Sequence, residues 1–275
     1  MYEKENYSSH EFRNMLDKLP NEIRVFEHGI RGEVMEEYRK LAAIIAAEEQ
    51  LKELNFLDLE LQIDQSKENQ EYAKKKKNVA PKKMSAKSII AALRRTKTFT
   101  NVEGFKRNVV HAANTASIDV YRFLKSYVDT VPDEHKEWVY AAIMQCQMHL
   151  ENSLMDEPVG FIATALGGRG NKIRYYFAVT SRQEMTPEDG ELVLDEYTAL
   201  SEEFEIGIED CYANKDFVLF KVLVPYYQMI TDFITSGLNT IDTLDDAEFW
   251  ITNIVHPSDQ ALLAWADAKK SETQQ

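Results

Sequence analysis

The chain has 275 residues, with 46 Asp/Glu against 32 Lys/Arg, a net charge of −14 and 44% hydrophobic residues. Thirteen Phe and thirteen Tyr can build a core and exclude global disorder, while ten Gly and seven Pro are too few for a turn-rich all-β fold. Two cysteines, Cys146 and Cys211, exclude a disulfide framework and fit a reducing compartment.

At this length the chain makes one large domain or two ordinary ones. It opens MYEKENYSSHEF, with no basic or apolar stretch of the secretory kind. Its longest apolar run, KLAAIIAAEE, is too short to span a bilayer. A cytoplasmic protein without a transmembrane segment is expected, or a nuclear one in a eukaryotic cell. SSHEFRNMLDKL predicts a short helix capped by Ser8 or Ser9 and ended by Pro20. From Gly32, Val34, Tyr38, Leu41 and Ile45 recur at three- and four-residue spacing, with Ile44, Leu51 and Leu54 on a neighbouring stripe. They predict a helix to about Asn55. FLDLELQID then alternates, with Leu57, Leu59, Leu61 and Ile63 against Asp58, Glu60, Gln62 and Asp64. Period two predicts a short strand or extended arm there. Residues 65 to 84 are almost devoid of apolar side chains and contain Pro81, as a linker does.

Ser85 can cap the helix AKSIIAALRRTK, whose stripe is Ile89, Ile90 and Leu93. Thr100 to Glu103 has the Thr-x-x-Glu form of a capping box. It would open one long helix with Val109, Val110, Ala113, Ala116, Val120, Leu124 and Tyr127 on one face. Pro132 and the acids after it start another, carrying Val139, Ile143, Cys146, Leu150 and Leu154. Residues 85 to 155 thus read as three packed helices.

The pattern changes at Pro158. VGFIATAL, GGRGN and KIRYYFAVTS predict strand, turn and strand, a β-hairpin. TPEDGELVLDEYTALSEEF predicts a helix capped by Thr186, with Pro187 at its first position and Val193, Tyr197, Leu200 and Phe204 as its stripe. EIGIEDCYA, NKD and FVLFKVLV predict a second hairpin, with Val218, Phe220, Val222 and Val224 on one face. YYQMITDFITSGL follows as a helix with Gly237 at its C-terminal end. Two short helices, near 245 to 255 and 258 to 269, close the chain. The expected fold class is α+β: a helical N-terminal region followed by an antiparallel α-ββ-α-ββ-α domain. The expected parts are a helical segment 1–64, a basic linker 65–84, a helical bundle 85–157 and an acidic domain 158–275.

Charge is segregated along the chain. Residues 74 to 107 hold twelve Lys/Arg and one acid, whereas residues 181 to 275 hold twenty acids and five bases. Lys74, Lys75, Lys76, Lys77, Lys82, Lys83, Arg94, Arg95, Lys97, Lys106 and Arg107 are the candidate anion- or nucleic-acid-binding residues. With Phe99 and Phe105 to stack on bases, and helices at 86–96 and after Thr100, they permit a helix-turn-helix reading for DNA or RNA. The same cations can instead engage an acidic protein surface, the chain's own or a partner's, or stand as a solvated linker.

GGRGNK offers backbone N–H groups for phosphate, but a strand follows it where a phosphate loop needs a helix, so a hairpin turn is favoured. Arg169, Lys172 and Arg174 form a secondary anion-binding tip. Cys146 and His149 have metal-ligand spacing without a second pair in Cys211, His111 or His135, and Cys146 falls on an apolar stripe, so a core thiol is favoured. No metal or cofactor is expected. No nucleophile signature occurs. Glu209 with Asp210, and Asp245 with Asp246, are neighbours whose side chains diverge. Trp138, Trp250 and Trp265 read as core. Together these features lead to a non-enzymatic adaptor or assembly protein whose basic segment engages an anionic partner and whose acidic domain engages protein or a second copy. The alternatives are a nucleic-acid-binding protein and an enzyme whose site is assembled from distant positions.

Overall fold

A computed structural model of the chain describes residues 22–64, 85–95, 101–155, 159–241 and 247–271, with isolated positions before residue 20; for residue 49 and residues 51–64 it describes helical backbone alone. The helix expected to end at Pro20, the linker 65–84 and the pair Asp245 and Asp246 lie outside the described residues or almost wholly so. The fold is mixed α+β. The chain divides into two compact units. One holds the described residues of Met1–Arg31 together with those of Met155–Gln275, and the other is Gly32–Leu154.

The second unit is helical. It contains α1 (Gly32–Asp64), α2 (Ala86–Arg95), α3 (Val102–Ala113), α4 (Ile118–Tyr127), a 3-10 turn Val128–Thr130 and α5 (Asp133–Asn152). The alternation of residues 57–63 does not make a strand: α1 runs to Asp64. Leu, Glu, Asp and Gln are weak strand formers, and the good helix formers of α1 propagate one more hydrogen bond per residue. The long helix expected after Thr100 is two. Asn101, not Thr100, accepts from Gly104 N–H at the start of α3. Between α3 and α4, Ala116 takes a left-handed φ of 44°, so the apolar stripe continues across a turn. Tyr38 of α1, Phe105 and Val109 of α3, Leu124 of α4, and Val139 and Cys146 of α5 are buried. The Tyr38 hydroxyl donates to Gln145 Oε1 at 2.6 Å, and the Tyr127 hydroxyl donates to the Leu93 carbonyl at 3.2 Å. Leu154 lies past the end of α5 and is exposed.

The first unit is built on β1 (Glu22–Val25), β2 (Val159–Ile162), β3 (Gly168–Arg169), β4 (Lys172–Thr180), α6 (Pro187–Glu203), β5 (Gly207–Ala213), β6 (Val218–Pro225), α7 (Ile230–Thr240), β7 (Glu248–Thr252) and α8 (Asp259–Ser271). The expected hairpin 159–181 is corrected in its first arm. β2 pairs with β1 in parallel, Glu22 opposite Val159, and only Gly168 and Arg169 pair with β4. β4 pairs along its length with β6, and β6 with β5. The stretch near 245–255 is a strand, not a helix: β7 lies antiparallel on the second half of β4. Its Phe249, Trp250, Ile251 and Thr252 are the aromatic and β-branched residues that fit a pleated surface.

Strand alternation sends side chains to two faces. Phe177, Val179, Val218, Phe220, Val222 and Val224 face α6 and α7 in one cluster, where Tyr197 and Phe233 join them. Phe177 and Phe220 are opposite in register and stack at 4.7 Å. Ala178, Phe217 and Leu219 face the other way, against Leu262 and Trp265 of α8. Gly237 does not terminate α7 but lies inside it, at a point where a Cβ would meet Tyr197 Cε1 at 2.4 Å. Thr186 caps α6 in a reciprocal box with Asp189. Thr186→Ala is expected to lower stability by about 1 kcal/mol, read as an earlier urea midpoint; an unmoved midpoint would show that the cap contributes nothing.

Candidate anion-binding surface

Within the helical unit the expected cations divide into three groups. Lys74, Lys75, Lys76, Lys77, Lys82, Lys83 and Lys97 lie outside the described residues. Lys106 and Arg107, in the second turn of α3, turn towards α1. Lys106 Nζ is 3.0 Å from Glu37 Oε2 and 4.3 Å from the centre of the Trp138 ring. Arg107 Nη2 contacts both oxygens of Glu48 at 2.8 Å. These pairs form because α1 is an acidic helix packed on α3, and Glu37 and Glu48 are three turns apart on it. Arg94 and Arg95 remain. They are exposed at the C-terminal end of α2, where the helix dipole favours cations. The Arg94 guanidinium sits 5.5 Å from the centre of the Phe123 ring. Arg94, Arg95 and Lys87 form no ion pair among the described residues. Half-buried Ile90 and Ala91 lie between them on the same helix, and the five side chains line a shallow surface depression. Ser85 supplies the expected cap, its hydroxyl accepting from Ser88 N–H at 3.2 Å.

Of the residues that the helix-turn-helix reading uses, Phe99 lies outside the described residues. Phe105 is buried against the His135 ring and has no face for a base. Asn108 is half-buried, and Lys106 and Arg107 are already paired.

The hairpin tip in the other unit is likewise occupied. GGRGNK spans β3, the two-residue turn Gly170 and Asn171, and the start of β4, with Gly167 and Gly170 at φ of 66° and 63°. Its amides serve the fold: Gly167 N–H donates to the Thr164 carbonyl and Gly168 N–H to the Phe26 carbonyl, while the Gly170 carbonyl accepts from Val25 N–H. Lys172 donates to the Glu205 carbonyl. Arg174 donates twice to Glu209, at 2.5 and 2.9 Å, and once to the Leu166 carbonyl at 2.7 Å. Arg169 and Lys221 each approach Glu209 to 3.5 Å. Glu209 is the extra residue of a bulge in β5 between Ile208 and Asp210. The bulge turns its carboxylate into the cations, away from its exposed neighbour Asp210. The Arg174 hydrogen bonds hold that carboxyl below the usual range, and the charges of Arg174 and Lys221 add to this against the opposing effect of burial. The cations are legible in the sequence and their counter-ion is not, since one bulge residue among 46 acids carries no local signal.

Cys146 is buried, and burial pushes its thiol pKa up. His149 bonds Gln145 rather than joining it in a site. No group of three metal-ligating side chains occurs among the described residues. Trp138 is buried, and Trp250 and Trp265 pack on the core. Among the described residues no helix is long and apolar enough to cross a membrane. By unit, Gly32–Leu154 holds 19 Lys/Arg and 18 Asp/Glu, a net +1, and the remainder holds 13 and 28, a net −15. No family model matches the chain, and no curated protein matches its sequence.

Proposed function

We propose that the chain is a non-enzymatic cytoplasmic adaptor or assembly protein that engages an anionic partner through the basic face of its helical unit and a protein through its acidic α+β unit. The observation that carries this reading is the partition of the cations. Lys106, Arg107 and Arg174 are matched by Glu37, Glu48 and Glu209, whereas Lys87, Arg94 and Arg95 stand exposed and unmatched among the described residues. They follow the lysines at 74–77, 82 and 83 in the chain and extend the same charge. The −15 of the other unit supplies the second, oppositely charged surface.

Nucleic acid is the second reading, favoured by the lysine run alone. Phosphate binding would weaken steeply between about 50 and 200 mM salt, by roughly 10³ or more for six or more phosphate contacts. The test is a pull-down from the cell of origin with the wild-type chain and with Lys74, Lys75, Lys76 and Lys77 changed to Glu, each with and without nuclease. The expected result is a set of protein partners lost from the variant and insensitive to nuclease. Identical partners from both chains would remove the basic segment from the account, and loss on nuclease treatment would favour the second reading.

A further inference from the structure

We infer that the exposed face of α2 is a docking site for an acidic amphipathic segment of a partner protein, with Ile90 as its apolar centre. This rests on the reading that the basic face engages an anionic partner, and it names that partner's class. α2 has two distinct faces. Ile89 and Leu93 point into the helical unit and are fully buried. Ile90 and Ala91 point elsewhere, are only half-buried, and are framed by Lys87 on one side and Arg94 and Arg95 on the other. A phosphate backbone needs the cations and gains nothing from an isoleucine between them. A protein partner uses both, since interfaces place apolar side chains at the centre and charged ones at the rim, with Arg enriched. Charge complementarity then requires acids on the occupant, and the Lys87 to Arg94 spacing of seven residues, two helical turns, matches a segment lying along α2. Arg94 is already oriented by the Phe123 ring, which reduces the ordering cost of binding.

The experiment uses the full chain and three probes: a synthetic helical peptide of Glu with Leu at i, i+3, i+4 and i+7, the same peptide with each Leu changed to Gln, and a single-stranded oligonucleotide. Calorimetric titration is expected to show the Leu peptide binding about tenfold more tightly than the Gln peptide. Ile90→Asp, with Ile90→Ser as a milder version should the first not fold, is expected to remove that advantage. Arg94→Glu with Arg95→Glu is expected to weaken the Leu peptide by at least about tenfold. Equal binding of the Leu and Gln peptides, or of the oligonucleotide, with no effect at Ile90, would overturn the inference and leave the anionic-partner reading standing. Binding indifferent to the arginine pair, or absent for every probe, would overturn both. Dimerisation of the free chain that is lost with the arginine pair would make a second copy the occupant and overturn a separate partner.

Discussion

Replacing Tyr197 with alanine is expected to cost about 3–5 kcal/mol, the range for removing a fully buried aromatic side chain. Its ring lies 5.2 Å from Phe177, 5.1 Å from Phe220 and 5.3 Å from Phe233, centre to centre. Its hydroxyl donates to the Ile234 carbonyl at 2.8 Å. It is thus held by two strands and α7 at once and cannot be replaced by local collapse. Gly237 is packed against the same ring. In a helix interior Ala is ordinarily better than Gly by about 1 kcal/mol. Here the added methyl would stand 2.4–2.5 Å from the Tyr197 ring, which its hydrogen bond prevents from moving aside. Gly237→Ala is therefore expected to cost about 1–3 kcal/mol, and to stabilise instead once Tyr197 is alanine. Urea unfolding of the four members of this cycle measures the coupling. A cycle that is additive within about 0.5 kcal/mol would show that ring and glycine do not meet.

Glu209→Ala is expected to cost about 3 kcal/mol, because it removes the shared partner of Arg174, Arg169 and Lys221 and strands a cation whose side chain is only 15% exposed. The same residue sets an acid response. The folded-state carboxyl lies below its ordinary 4.5. Its contribution is therefore fully present above the unfolded value, and it is lost as pH falls through the folded value. Stability of the wild-type chain should decline below about pH 4.5, and Glu209→Gln should lower the neutral-pH plateau and flatten that decline. Parallel acid titrations of both chains by circular dichroism check this, and curves of identical shape would remove Glu209 as the source.

What could be read from the residues was what local chemistry decides. Thr186, Pro187 and the acids behind them fix the start of α6, and the near-continuous apolar run Val218 to Val224 fixes β6, with Val218, Phe220, Val222 and Val224 on the face that meets α6 and α7. The failures have two causes, tertiary context and the cooperativity of a helix already under way. Ala116 has no turn propensity, and its left-handed backbone exists because α3 and α4 both pack on α5. The alternation at 57–63 imitates a strand in a segment that continues a helix already nucleated 25 residues earlier. The candidate surface was half-readable. A run of cations is visible in sequence, but which of them are neutralised depends on Glu37, Glu48 and Glu209, which lie 35 to 69 residues away.

The parallel pairing of β1 with β2 has a temporal meaning. Glu22 must wait for Val159, 137 residues later, before its ladder can form. At ordinary synthesis rates that interval is on the order of ten seconds. All of Gly32–Leu154 is made within it, and helical units of such local contacts fold in milliseconds or less. Every residue of the helical unit is therefore made before the strand that pairs with β1 exists. A chain halted before residue 159 would display the basic face of α2 and expose Ile23 and Val25, two side chains that the complete sheet buries.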